Sequence, residues 1–313
     1  MLDAHALVLA TRNRPTDVAR TLRSVARTEE AEALHIVLVD GSDADEARAN
    51  QHVLRDVPAL HLDYHAFPGD PAASRQRNYG VAVLPPSTRV VHFLDDDVEV
   101  HPQYFVHLAD ALRQHPKAGG VAGCVCEPER PPPPAPSWIR RFFLLDSRTP
   151  GAVLPSGRTT PLRRTGSQVV PVQWMPGGAC AYRREVFATH QFDAEAEGPS
   201  PRIEDLDFSY RVGASWPLLF QPQARLNHYP SPVNRARLNT YATERLAWRA
   251  WFVQKNLPGP VHTAAFWWAT LGEALAMAAS SHSNKWRLLR GHLRGIQRIC
   301  TRSHPLLQRG GSS

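Results

Sequence analysis

Short apolar runs rich in Val, Ile and Leu alternate with segments of helical spacing along the first hundred residues, and several of the runs end in a polar turn. Ala6 to Ala10 reads as a strand and Thr11 to Pro15 as a loop. Thr16 to Ala26 reads as a helix, with Thr16 as N-cap and Val18, Leu22 and Val25 on one face. A second strand follows at His35 to Val39 and stops at Asp40-Gly41-Ser42. Strand, helix, strand describes a βαβ unit, which implies a parallel sheet with a polar crevice at the carboxyl ends of its strands. A third strand is expected near His61 to Tyr64, a helix over Ala72 to Val83, and a fourth strand at Val90 to Leu94.

Directly after that fourth strand stand Asp95, Asp96 and Asp97. Alternation along an extended chain puts Asp95 and Asp97 on one face and Asp96 on the other, where a structural role is expected. Adjacent carboxylates raise one another's pKa unless a cation or strong donors offset the charge. Magnesium, held by one or two carboxylates plus substrate phosphates, would do so. The competing reading is a solvated acidic turn.

Farther on, His101 to His115 reads as a helix and Val121 to Cys126 as a strand, while the proline-rich Glu127 to Pro136 reads as an extended loop. Trp138 to Leu145 mixes aromatics with arginine and suits a lid, a membrane-surface patch or a helix packed on the core, the last being the favoured reading. Trp174 to Tyr182 is followed by a helix from Arg184, an acidic patch at Glu204 to Asp207, a helix through Arg211 and a strand over Leu218 to Asn227. Beyond Asn234 the pattern is helical, with a break at Leu257 to Pro260. The formal charge of +7 belongs to that last region, where twelve Lys and Arg face only Glu244 and Glu273. Such a segment suits nucleic acid, anionic lipid or a phosphorylated substrate, and charge alone does not choose. Cys124, Cys126, Cys180 and Cys300 lack zinc or disulfide spacing, so reduced thiols in a cytoplasmic protein are expected. Neither a secretory signal nor a transmembrane helix is expected, because Glu273 interrupts the apolar stretch from Ala264 to Ala279.

Six segments in order resemble glycosyltransferases of family 2: VLATRNRP from Val8, LVDGSD from Leu38, RQRNYGV from Arg75, FLDDDVEV from Phe93, WMPGGACAYRREVF from Trp174 and EDLDFSYR from Glu204. The resemblance covers most of residues 6 to 230. It implies the A-type glycosyltransferase fold, an α/β, Rossmann-like, mostly parallel central sheet flanked by helices, here with a C-terminal helical extension. Residues 1–233 would form the catalytic domain, with nucleotide and metal in 1–100 and acceptor in 101–233, and 234–313 the basic extension.

The resemblance also implies roles. Thr11, Arg12, Asp40, Arg77, Asn78 and Asp95 would bind the nucleotide sugar, and Gly177 and Gly178 would let backbone approach donor or acceptor. Asp95 and Asp97, with His228, would hold Mg2+ or Mn2+, and Asp205 would be the general base, with Glu204 as its competitor. Taken on its own, Asp40 before Gly is as readily a turn former, and Asn78 a structural hydrogen bonder.

The expected activity is inverting, metal-assisted transfer of a sugar from a nucleoside diphosphate donor to a hydroxyl of a glycan or lipid-linked acceptor. A metal-dependent sugar nucleotidyltransferase is the alternative enzyme, and its product would be pyrophosphate. A non-catalytic nucleotide-sugar or membrane-binding module is the other. No nucleic acid partner is expected. Lys285, Arg287, Arg290, Arg294, Arg298 and Arg302 interleave with Trp286, Leu288, Leu289, Leu293, Ile296 and Ile299, a basic amphipathic pattern that suits an anionic membrane surface as well as a solvated helix. That pattern would place the protein peripherally on the inner face of the membrane.

Overall fold

The computed structural model describes residues 2–55, 57, 60–128, 137–162, 166–194, 203–233, 238–281 and 283–309. In chain order the first elements are β1 (His5–Thr11), α1 (Pro15–Val25), β2 (His35–Asp40), α2 (Ala44–Arg55), β3 (His61–Ala66) and α3 (Ala73–Val83). There follow β4 (Val90–Leu94), β5 (Val98–Val100), α4 (Tyr104–Gln114), β6 (Gly120–Cys126), α5 (Trp138–Phe142), β7 (Val170–Val172) and β8 (Ala179–Arg183). The chain closes with α6 (Glu204–Gly213), β9 (Leu218–His228), α7 (Leu238–Asn256), α8 (Pro260–Ala279), α9 (Lys285–Cys300) and α10 (Pro305–Arg309).

Two compact units result, one of Met1–Pro132, Leu162–Glu195 and Glu204–Asn234, the other of Pro133–Pro161, Ala196–Ile203 and Arg235–Ser313. The second unit takes in a stretch from the middle of the chain as well as the C-terminal helices. Packing explains this: the Phe143 ring stacks on Trp268 at 5.0 Å, and a Cβ on Gly157 would meet Val253 at 2.5 Å.

The first unit is built on a mixed sheet of order β3-β2-β1-β4-β8-β6-β9-β5, with β7 paired to β9. Strands β1 to β4 are mutually parallel, β8 runs antiparallel to β4 and β6, and β9 is parallel to β6. Six strands therefore share one direction, while β5, β7 and β8 oppose it. Ala6, Leu7, Val8 and Leu9 are all fully buried, so β1 is covered on both faces, as expected of a central parallel strand. Because β1, β2 and β4 run together, the residues at their carboxyl ends, Thr11, Asp40 and Asp95, come to one edge of the sheet.

Several elements differ from expectation. Helix α1 starts at Pro15 and Thr16 does not cap it; Arg14 occupies the cap position without a side-chain bond, since proline's fixed φ suits the first helical position. Helix α2 is not foreseen, because it buries only Asn50 and has no apolar stripe to read. Residues 184–188 form a 3-10 turn, and β8 begins at Ala179, five residues after Trp174. The loop expected over Glu127 to Pro136 lies mostly outside the described residues.

In the second unit α7 packs on α9, with Gly295 against Leu246 and Trp248 fully buried. Among the described residues no helix is long and apolar enough to cross a membrane. None of the four cysteines is in a disulfide.

Helix α3 lies close on the sheet at Gly80, where an added Cβ would stand 2.4 Å from Val8 Cγ1 and 3.2 Å from Val39 Cγ2. Overpacking of this kind costs about 1–3 kcal/mol. Gly80→Ala is expected to lower the chemical denaturation midpoint accordingly, and an unchanged midpoint would show that α3 can shift freely.

Candidate active site

Asp95, Asp96 and Asp97 form a turn between β4 and β5, not extended chain. Alternation therefore does not aim them; separate partners do. Thr21 donates its hydroxyl to the carbonyl of Asp96 at 2.8 Å and accepts from the Val98 N–H at 3.1 Å. Asp96 is buried and accepts from Thr11 Oγ1 at 2.7 Å and Arg14 Nη1 at 2.8 Å. Burial pushes its carboxyl up to about 6, against the pull of Arg14 and the Thr11 hydroxyl. Asp96 is thus an internal anchor, as its place in the triplet suggested.

Asp97 faces a different set of groups. Strand β9 pairs antiparallel with β5 so that His228 sits opposite Val98, which brings His228 Nε2 within 3.2 Å of Asp97 Oδ1. The other ring nitrogen, Nδ1, lies 3.3 Å from Glu127 Oε1, and Asp97 Oδ2 accepts from the Ser231 N–H at 2.9 Å. Burial would raise the Asp97 carboxyl, but His228, Ser231 and Arg14 outweigh it and hold it below its ordinary value. The histidine is raised in turn: burial lowers it, and Asp97 more than reverses that. Among the described residues no group of three or more His, Cys, Asp or Glu can enclose a cation by itself. A hard cation at Asp97 and His228 would accordingly complete its shell with phosphate oxygens and water, its ordinary habit.

Arg77 ties the two ends of the site together. Its Nη2 lies 3.2 Å from Asp95 Oδ1 at the end of β4, and its Nη1 lies 3.1 Å from Glu204 Oε1 at the start of α6. The guanidinium is buried and stands 5.5 Å from the Phe192 ring centroid, which itself stacks on Phe208 at 4.0 Å. Gly177 and Gly178 lie beside this bridge. A Cβ on Gly178 would fall 2.0 Å from the Asp95 carboxylate, and one on Gly177 would fall 2.7 Å from Arg77 Nη1 and 2.9 Å from Asp205 Cβ. The glycines make room for the protein's own carboxylates and guanidinium.

Asp205 is half-buried, with Oδ2 accepting from the Gly177 N–H at 3.1 Å and Oδ1 from the Leu206 N–H at 2.7 Å. Burial, and then the adjacent Glu204 charge, raise its carboxyl to about 7, in the range a general base needs. Glu204 is spent on Arg77 through Oε1, and its Oε2 has no hydrogen-bond partner among the described residues. Asp207 is fully buried and paired with Arg211 at 2.9 Å.

Other expected binding residues are committed elsewhere. Asp40 is buried, with Oδ1 accepting from the Ser42 N–H at 2.8 Å and Oδ2 from Asn50 Nδ2 at 2.8 Å and the Tyr64 hydroxyl at 2.9 Å. It is a turn anchor, not an open nucleotide contact. Asn78 exchanges hydrogen bonds with the backbone of Phe192, at 2.8 and 3.0 Å, and so straps the segment before α6. Thr11 spends its hydroxyl on Asp96. Arg12 is exposed after β1. The sequence reading missed Arg14, Glu127 and Ser231. Arg14 lies inside the first matched segment but carried no signal of its own; Glu127 reaches the site through the pairing of β6 with β9, and Ser231 through that of β9 with β5.

Removing the bridge leaves a buried Glu204 beside Asp205 without a counter-charge, a loss of about 3 kcal/mol. Denaturant unfolding of Arg77→Met is expected to show that loss, and adding Glu204→Gln is expected to recover most of it. Equal destabilisation in the single and double variants would mean the bridge carries no such load.

Comparisons with known proteins identify the fold and the family. No curated protein matches the chain in sequence. The mannosyltransferase PcManGT from Pyrobaculum calidifontis, solved with GDP-Man and Mn2+, is similar in fold, with TM-score 0.61 at 13% identity over 96% of this chain and 88% of that one. GalNAc-T7, solved with UDP, GalNAc and Mn2+, gives TM-score 0.65 at 17% identity over 97% of this chain and 58% of its own length. The S. aureus TarS fragment 1-349 gives TM-score 0.52 at 12% identity over 98% of this chain and 86% of that one. These likenesses show the A-type glycosyltransferase fold, and the family profile extends to sequence. The Glycosyl transferase family 2 profile matches residues 6–190, more than half of the chain, and the protein belongs to that family of glycosyltransferases.

Proposed function

We propose that the protein is an inverting, metal-assisted transferase that moves a sugar from a nucleoside diphosphate donor to a hydroxyl of a glycan or lipid-linked acceptor. The observation that carries this reading is the Arg77 bridge, which holds Asp95 and Glu204 at 3.2 and 3.1 Å on either side of one guanidinium. Asp205, next to Glu204, is thereby held near the carboxylates at the strand ends, with Gly177 and Gly178 between them. The Mn2+ and nucleotides of the PcManGT and GalNAc-T7 structures support a donor of this class.

Asp205 removes the acceptor proton as the hydroxyl oxygen bonds to the anomeric carbon, and the bond from that carbon to the diphosphate oxygen breaks. Asp97 and His228, with Asp95 nearby, would hold the cation. A divalent ion there supplies positive charge against the departing diphosphate. Arg77 is already shared between Asp95 and Glu204, so its part is to position these acids.

The second unit supports a membrane-surface reading. Glu244 and Glu273, the only acidic residues beyond Asn234, are both buried. Glu244 pairs with Arg298 and His304, and Glu273 with Arg158, Arg245 and Arg249. The open face of α9 then carries Trp286 and Leu293, 59% and 53% exposed, among Arg290 and Arg294, a composition suited to an anionic bilayer.

Four outcomes are expected. Asp97→Asn should lose cation-dependent binding of GDP- or UDP-sugars in calorimetry, and wild-type binding would move the cation elsewhere. Asp205→Asn should retain donor affinity and lose turnover by at least about a hundredfold. Because the base works only when ionised, wild-type kcat/KM should rise with pH through a midpoint near 7, the value burial sets for Asp205; a midpoint near the ordinary carboxylate value of about 4 would assign the proton to another group. Arg290→Glu combined with Arg294→Glu should abolish co-sedimentation with phosphatidylglycerol vesicles, and undiminished pelleting would remove α9 from the contact.

A further inference from the structure

Helices α8 and α9 pack antiparallel. His292 Nε2 lies 3.0 Å from the Thr270 carbonyl oxygen, while Met277 and Ser280, later in the chain than Thr270, line one cavity with Lys285 and Leu288, which precede His292. One residue turns a helix by about 100°, and in an antiparallel pair that step carries both partners round to the same side. Leu271, one residue past Thr270, and Leu293, one past His292, therefore project together, and both are exposed. Trp268 and Leu275 share the face of Leu271 at i−3 and i+4, and Trp286 shares that of Leu293 two turns away; all three are exposed. On the other flank α5 lies against α8. Phe143 stacks on Trp268 at 5.0 Å, and the Trp268 indole N–H donates to the Phe142 carbonyl at 2.8 Å. That contact leaves Trp138 and Phe142 open, 71% and 59% exposed, with the Phe142 ring 5.2 Å from that of Trp268. The second unit thus has one apolar face drawn from α5, α8 and α9, turned away from the Glu273 side of α8.

Charge at the border of this face selects what covers it. Arg290 and Arg294 stand two residues to either side of His292, hence on the flank of α9 turned away from α8, and both are exposed. Arg140 and Arg141 are half-buried on α5. The only carboxylate on the three helices is Glu273, which is buried and paired with arginines. A second copy laid on this face would therefore meet no exposed carboxylate there and would bring arginines toward arginines, a costly juxtaposition. An anionic bilayer complements both parts, with lipid phosphates for the border and acyl chains for the centre. Among the described residues no helix is long and apolar enough to cross a membrane, so α8 would lie along the interface.

We infer that the α5–α8–α9 face inserts into the surface of an anionic bilayer, with Trp268, Leu271 and Leu275 entering the lipid and the α9 arginines resting on its headgroups. The inference rests on the membrane-surface reading of α9 and adds the part that enters the lipid. Co-sedimentation of the full chain with phosphatidylglycerol vesicles separates insertion from charge alone. At about 1 M salt, where charges are screened beyond about 3 Å, wild type is expected to keep pelleting, because apolar burial is not screened. Leu271→Ser combined with Leu275→Ser, at exposed positions, should cut pelleting at least tenfold with an unchanged thermal midpoint, and Ile139→Ser on α5 should act in the same direction. Lipids brominated on the acyl chain should quench the tryptophan fluorescence of wild type and spare that of the α8 variant. Pelleting of the α8 variant at the wild-type level, while Arg290→Glu with Arg294→Glu abolishes it, would overturn insertion and leave the α9 contact standing. Pelleting without quenching would do the same. A wild type that never pellets would overturn both readings. A wild-type dimer in light scattering that the α8 changes dissolve would give the face to a second copy and overturn the inference.

Discussion

One guanidinium organises the catalytic unit. Arg77 reaches from α3 to Asp95 at the end of β4 and to Glu204 at the start of α6, 3.2 and 3.1 Å away. Without a shared cation, two carboxylates this close would repel and one would take up a proton. Because the bridge is buried, its geometry is restrictive: the glycine pair must stay bare, Phe192 must stack beneath the cation, and Asn78 must strap Phe192 in place. Displacing any of these would disturb both acids at once, so the turn after β4 and the start of α6 share one structural support.

Identical side chains take different roles according to what surrounds them. Asp96 is enclosed and raised to about 6, although Thr11 and Arg14 bond to it, which suits an anchor. Asp97, one residue on, is held low by His228, Ser231 and Arg14 and stays charged, which suits a cation. Asp205, half-buried beside another carboxylate, rises to about 7, which suits proton transfer near neutrality. Burial acts on all three in the same direction; at Asp96 it outweighs Arg14, at Asp97 the partners outweigh it, and at Asp205 the Glu204 charge adds to it.

The second unit applies the same physics with the sign reversed. There one carboxylate, Glu273, collects Arg158, Arg245 and Arg249, and its own carboxyl falls to about 2 as their charges outweigh burial. At Asp95 and Glu204 one arginine meets two carboxylates, whereas around Glu273 three arginines meet one.

The order of strands β1 to β4, the sheet edge that carries the acidic turn, and the family itself were legible in sequence, because buried strands and helix faces leave periodic apolar patterns and the catalytic motifs are local. Helix α2 was not, having no apolar stripe. Within the site, the acidic motifs named Asp95, Asp97 and Asp205, and separated Asp96 from them through an alternation that the turn does not have. Only the tertiary structure turned Asp40 inward onto Asn50 and Tyr64, made Asn78 a strap, and set His228 beside Asp97 through the pairing of β9 with β5. The reason is physical: a motif specifies which charges the chain carries, but the role of a charge depends on its partners and its exposure, and those come from segments far away in sequence.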